Sequence, residues 1–312
     1  MTSLIQVDQL YRFFSSRCAV NNVSFKLERG EILGFLGPNG AGKTTTMQMI
    51  CGNLAPTEGQ VFINGIDILD QPKEAKRELG YLPETPPLYR ELTADEYLGY
   101  CARLHRLPAK KIATAVGNAK ERCGLTEVGR RLIGNLSKGY QQRVGIAQAI
   151  LHTPAVIILD EPTVGLDPIQ IREIRELIRE LGREHGIILS THILPEIQEV
   201  CTRVQIIHQG QLVMNDSIER LERNMRALSL LMKTRGTPDL ARLYALNGIH
   251  SIDALGDNRY RVFHDKEASP ASSIAEIAVS FGWGLLELTP EKRSMEEIFI
   301  EITRHSPSTE KE

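Results

Sequence analysis

Gly37-Pro38-Asn39-Gly40-Ala41-Gly42-Lys43-Thr44 fits the spacing G-x-x-x-x-G-K-[ST], whose glycines let backbone N–H groups turn inward around a polyphosphate. The apolar run Ile32-Leu33-Gly34-Phe35-Leu36 precedes it as a buried strand, and a helix is expected to begin just after Gly42. In that setting the helix N-terminus adds positive potential and Lys43 reaches the β and γ phosphates. Thr44 offers its hydroxyl to Mg²⁺, and Thr45 donates near the α phosphate. The competing reading, a glycine-rich turn with a surface lysine, requires neither the strand before it nor the helix after it.

Ile157-Ile158-Leu159-Asp160-Glu161 is an apolar strand ending in two acids, and packing alone gives no reason to place adjacent carboxylates there. Asp160 is expected to hold Mg²⁺ directly or through water, and Glu161 to orient or deprotonate the water that attacks the γ phosphate in line. The rival reading is an acid pair at a helix N-terminus beside Pro162. In Asn135-Leu136-Ser137-Lys138-Gly139-Tyr140-Gln141-Gln142-Arg143, Ser137 is a natural N-cap, and Val144, Ala147 and Ile150 continue at helical spacing. A second helix N-terminus is therefore aimed outward.

These groups need a scaffold, and the pattern supplies one. Residues 1 to about 65 read as short strands with turns, and residues from about 70 to 155 read as helical, with Thr93 and Glu96 as a capping box. Strand 155–159, a helix over 169–184 and strand 186–190 give β-α-β alternation and so a largely parallel, helix-covered sheet. Strands 204–208 and 211–214 flank Gln209-Gly210 as a hairpin. Past residue 220 a second domain is expected: strand 227–233, helix 238–246, strand 250–254, strand 259–263, helix 270–281 and strand 284–288. That βαββαβ order is the split-βαβ plan. Ser294 to Glu297 is read as capping a further helix through Ile302, and the polar tail 306–312 as mobile.

Composition agrees with two folded domains in 312 residues, with 42% hydrophobic and 24% charged residues. Lys plus Arg number 37 against 39 for Asp plus Glu, so the net charge of -2 gives no basic footprint, and no nucleic-acid partner is expected. Five scattered cysteines without a CxxC pair read as reduced thiols. The N-terminal residues lack a signal-peptide pattern, and the apolar runs fall short of the roughly 20 residues that span a bilayer, so any membrane role is expected to run through a partner.

Taken in order, the phosphate cradle, Leu136-Ser137-Lys138-Gly139 with Gln141, Leu159-Asp160-Glu161-Pro162, Gly165-Leu166-Asp167 and Ser190-Thr191-His192 resemble the ABC transporter ATPase family over about residues 4 to 215. The resemblance implies an α/β fold: a P-loop NTPase domain over 1–220 with a helical subdomain at about 85–155, followed by a small α+β accessory domain over 221–305. It implies ATP and Mg²⁺ as cofactors, and a dimer of this chain with itself or with a paired ATPase subunit around two ATP. Ser137 and Gly139 then touch the γ phosphate of ATP held by the opposite chain, Asp167 lies on the loop linking the two sites, and His192 contacts the γ phosphate and the catalytic water. Phe14 aligns with the adenine-stacking aromatic, with Tyr11 and Phe13 as competitors for that role or for simple packing.

Two residues depart from the family pattern. Glu84 stands where a metal-sensing glutamine is usual, and still accepts from a metal-bound water. Lys138 replaces a glycine beside the signature serine. Both resemble the ABC-2 type branch of gliding-motility and multidrug or polysaccharide-export ATPases. That branch implies separate integral membrane permease subunits, export, and a peripheral position on the cytoplasmic face of the membrane. Two rivals stand beside this reading. A soluble ABC ATPase acting on a macromolecular complex calls for two motif sets or a long coiled-coil insertion with a basic face, and a nonhydrolytic ATP sensor calls for loss of Glu161 or His192.

Overall fold

The computed structural model describes residues 3–224, 229–265, 268 and 270–291. The chain divides into two compact units, the first ending at Ile218 and the second beginning at Glu219, two residues before the expected division.

The first unit opens with β1 (Ile5–Phe14) and β2 (Arg17–Leu27), then β3 (Ile32–Leu36), α1 (Lys43–Ile50), β4 (Glu58–Ile63), β5 (Ile66–Asp67), α2 (Pro72–Arg77) and β6 (Leu79–Leu82). Helices α3 (Ala94–Leu104), α4 (Ala109–Arg122) and α5 (Lys138–Ile150) follow, and then β7 (Val156–Asp160), α6 (Pro168–Leu181), β8 (Gly186–Thr191), α7 (Leu194–Val200), β9 (Arg203–His208) and β10 (Gln211–Ser217). Two sheets result. One is antiparallel with order β2-β1-β4-β5. The other has order β10-β9-β3-β8-β7-β6, parallel from β9 to β6 with β10 antiparallel at its edge.

The largely parallel sheet is as expected, whereas the expectation of short strands at the start of the chain needs correction. β1 and β2 run ten and eleven residues as a long antiparallel hairpin. Register shifts at Val7/Leu10, Leu10/Arg12 and Arg12/Phe13 break the alternation that would have marked β1 as one strand. The stretch from 70 to 155 likewise contains strand β6, whose four residues are too few to show a period beside the neighbouring helices. One core joins both sheets through α1, with Val7, Leu27, Met47, Ile50, Val156 and Ile158 all buried. β3, β7 and β8 are buried at every residue, which explains their continuous apolar sequences.

Local chemistry sets several boundaries. Thr93 caps α3 in a full capping box, accepting from Glu96 N–H while the Glu96 carboxylate accepts from Thr93 N–H. Helix α6 starts at Pro168 on its Asp167 cap and ends at Gly182, short of the expected residue 184. All five cysteines are free, and burial pushes the thiols of Cys51, Cys123 and Cys201 up, leaving them unreactive.

The second unit contains β11 (Ser229–Thr234), α9 (Leu240–Tyr244), β12 (Ile249–Gly256), β13 (Arg259–His264), α10 (Ala271–Ser280) and β14 (Leu285–Glu291), after α8 (Ile218–Asn224) at its start. Its antiparallel sheet has order β12-β13-β11-β14, the arrangement a βαββαβ chain makes when its two βαβ halves interleave. Met232, Leu243, Val262, Ile274 and Trp283 form its own core. The start of the expected strand at Ala227, the helix from Ser294 to Ile302 and the tail 306–312 lie outside the described residues.

Gly80 lets β6 approach α5 closely, because a Cβ there would lie 2.2 Å from the Ala149 carbonyl oxygen. Gly80→Ala should therefore push strand and helix apart and destabilise the protein by about 1–3 kcal/mol. Urea unfolding of the two proteins measures the difference.

Candidate active site

β3 delivers the chain into the loop 37–42, where Gly40 and Gly42 take φ of 79° and 107°. A Cβ on Gly42 would stand 2.6 Å from the Ala19 carbonyl oxygen, so the left-handed N-cap of α1 passes directly against β2. Ala41 turns its methyl into the core, leaving the loop held from below with its rim free. Lys43 is only 6% exposed and arches over its own loop, donating to the Gly37 carbonyl at 2.8 Å and the Pro38 carbonyl at 3.4 Å.

Asp160 ends β7 with no exposed surface, and neither carboxylate oxygen has a hydrogen-bond partner. Burial pushes its carboxyl above the ordinary range, while the neighbouring Ser190 and Thr44 hydroxyls favour the charge. An oxygen donor set with open lone pairs, a carboxylate beside a threonine hydroxyl, fits a divalent cation. Among the described residues no cluster of three or more His, Cys, Asp or Glu is assembled to hold a metal.

Glu161 follows at φ 49°, a left-handed conformation unusual for a glutamate. Its N–H donates to the Ser190 carbonyl at 2.8 Å, and its carboxylate lies 3.6 Å from Lys43 Nζ. His192 Nδ1 stands 2.9 Å from both Glu161 oxygens. A buried carboxylate against a half-exposed imidazole can take a proton from a water and pass charge to its partner.

A cavity of about 640 Å³ opens over these groups. It brings together Phe14, Asn39, Gly40, Gly42, Lys43 and Thr44, and on its other side Thr45, Glu84, Glu161 and His192. Of the three aromatic candidates Phe14 lines this cavity, 45% exposed with the Arg12 guanidinium 4.7 Å over its ring, whereas Tyr11 and Phe13 stack on each other. Glu84 follows β6 and also lines a second cavity of about 390 Å³ that includes Lys138.

Ser137, Gly139 and Asp167 lie elsewhere. They line a separate cavity of about 440 Å³ with Tyr140 and Gln170. Ser137 caps α5 by accepting from Tyr140 N–H, and Asp167 caps α6 by accepting from the N–H groups of Ile169 and Gln170 at 3.0 and 2.9 Å. Sequence reasoning missed Arg17, Ala19 and Val164 in the main cavity and Ser190 beneath it. The hairpin register Phe14↔Arg17 places Arg17 there, and only knowledge of the strand pairing could have shown it.

A strand, a phosphate-shaped loop and a helix, with an acid pair at the end of a parallel strand one place further along the sheet, beyond β8, define a nucleoside triphosphatase of the P-loop class. The chain matches the family model described as "ABC transporter" over residues 20–164. It is 34% identical over 97% of its length, and 98% of the relative's, to a bacitracin transport ATP-binding protein of Bacillus licheniformis. It is also 40% identical to an ABC transporter ATP-binding protein of Bacillus subtilis, covering 68% of this chain and 87% of that one. The solved structure of an ATP-binding subunit of an ABC transporter superposes on 71% of this chain and 93% of its own, with a TM-score of 0.65 and 33% identity. The chain belongs to the family of ABC transporter ATP-binding subunits, and it is an ATPase.

The raised carboxyl of Asp160 carries a sign for stability. Between the ordinary carboxylate range and its raised folded value, the folded state binds the proton more tightly than the unfolded chain, so stability is lost as pH rises through that window. Asp160→Asn should melt above the wild-type nucleotide-free protein at neutral pH. That advantage should vanish as pH falls below the ordinary carboxylate range, as read by thermal melts across pH.

Proposed function

We propose that two nucleotide units, from two copies of this chain or from this chain and a paired ATPase subunit, close around two ATP molecules and drive export through separate integral membrane permease subunits of the ABC-2 type. The observation that carries this reading is the separation of the two cavities. Lys43, Glu161 and His192 face one, whereas the helix N-termini at Ser137 and Asp167 face the other. A helix N-terminus stabilises phosphate charge, so the separate cavity at Ser137 and Asp167 adds further helix N-termini to the one already at the phosphate loop, and a partner chain brings them there. Ser137, Gly139 and Asp167 then act on the partner's nucleotide.

Within each site Phe14 stacks on the adenine, and the loop 37–42 with Lys43 and Thr45 holds the phosphates. Thr44, Asp160 and Glu84 would hold Mg²⁺, which supplies charge neutralisation on the β and γ oxygens when bound. Glu161 accepts the proton of the attacking water. His192 hydrogen-bonds the γ phosphate and steadies Glu161.

A groove of about 460 Å³ between β6 and α3 supports docking on a membrane subunit: Pro83, Pro87, Tyr89, Tyr100 and Leu104 line it, with Tyr89 47% and Leu104 63% exposed. No helix among the described residues is long and apolar enough to cross a membrane. In this reading the permease is a separate polypeptide and this chain works peripherally at the cytoplasmic face. The similarity to a bacitracin transport subunit over 97% of this chain supports a role in transport.

Glu161→Gln should reduce ATP turnover by about 100-fold or more while ATP is still bound, because proton transfer of this kind contributes about 10²–10⁴-fold. Phosphate release and size-exclusion chromatography with ATP should show an inactive dimer; wild-type turnover would remove Glu161 from its role. The chain purified from its native membranes should carry a polytopic membrane protein, and recovery with ribosomes or DNA instead would overturn the transport reading.

A further inference from the structure

Glu196 on α7 is 1% exposed, although a carboxylate on a helix ordinarily faces water. Its Oε1 accepts from the Thr163 hydroxyl, and its Oε2 accepts from the Thr191 hydroxyl at 2.8 Å. The Arg175 guanidinium of α6 stands 3.9 Å from Oε1 and holds Glu199 at 2.8 Å. The buried charge is therefore paired and satisfied.

What matters is where the two threonines sit. Thr163 lies two residues after Glu161, and Thr191 lies immediately before His192. The Thr191 hydroxyl also accepts from Ile193 N–H at 3.0 Å, so one side chain fixes both flanks of His192. Glu161 at φ 49° holds a strained conformation that persists only when its surroundings impose it.

We propose that Glu196 is a positioning residue for ATP hydrolysis. Its carboxylate clamps the loop after β7 to the end of β8 and so keeps Glu161 and His192 at their 2.9 Å contact. Through Arg175 the same carboxylate ties the pair to α6, the helix capped by Asp167. The inference rests on the reading of Glu161 and His192 as the groups that act at the γ phosphate. Neither Glu196 nor Thr163 lines the nucleotide cavity, so their loss acts on turnover and leaves ATP capture intact.

The test compares kcat and KM for Mg-ATP in the full-length wild type, Glu196→Gln, Thr163→Val, Thr163→Ser and Glu161→Gln, with a thermal melt of each. Thr163→Val matches the side chain in shape and removes only the hydroxyl, so it decides the matter if Glu196→Gln fails to fold. A catalytic group displaced by about an ångström costs about 100-fold, so Glu196→Gln should approach that loss in kcat and Thr163→Val should lose about tenfold, both with KM within about twofold of wild type. Thr163→Ser should restore wild-type kcat. If Glu196→Gln and Thr163→Val turn over normally while Glu161→Gln is inactive, the clamp is wrong and the proposed function survives. If Glu161→Gln itself turns over normally, the reading beneath the clamp fails. A rise in KM in step with the fall in kcat would make Glu196 part of nucleotide binding and overturn the proposal.

Discussion

Everything in the active site depends on β8 lying between β3 and β7 in parallel register. The pairings Leu36↔Thr191 and Asp160↔Ser190 bring three strand ends to one level. From those ends depart the phosphate loop, the acid pair and the histidine, the loop following Leu36 early in the chain and the other two following Leu159 and Thr191 much later. Parallel strands buried on both faces can hold such a register because a slip would strand apolar side chains and backbone groups alike. The β3 position, with β8 on one side and β9 on the other, is also where the strand order reverses and a crevice opens.

The electrostatics follow from that convergence. Asp160 and Glu161 are adjacent, both buried, and answered by a single lysine and an imidazole. Lys43 also donates to the carbonyls of its own loop. Burial pushes the Asp160 carboxyl up against the Ser190 and Thr44 hydroxyls, which favour its charge. The second unit has its own core and the Arg261–Glu291 pair, which keeps the Glu291 carboxyl below the ordinary range.

The phosphate cradle, the acid pair and the capping residue Ser137 were legible because each is a local pattern whose chemistry is complete within a few residues, whereas the Asp167 cap of α6 shows only in the structure. The βαββαβ order of the second unit was legible for a similar reason, since short amphipathic elements alternate with clear turns at Gly256-Asp257-Asn258. β6 was not legible, because Leu79-Gly80-Tyr81-Leu82 is a strand only by virtue of pairing with β7. Arg17 entered the cavity through a hairpin register that bulges disguise. The buried Glu196 was invisible for a deeper reason: Thr163, Thr191 and Arg175 meet it only in three dimensions, and nothing about a glutamate in Leu194-Pro195-Glu196-Ile197 distinguishes it from a solvated one.

The left-handed backbone at Glu161 has a bearing on how such a chain evolves. Glycine and asparagine occupy that conformation with little strain, so a drift toward either would relieve the backbone while removing the carboxylate. Folding and the catalytic role proposed for Glu161 thus favour different residues at one position. A lineage released from the need to hydrolyse ATP should lose its acid there early, with no penalty in foldedness to slow the change.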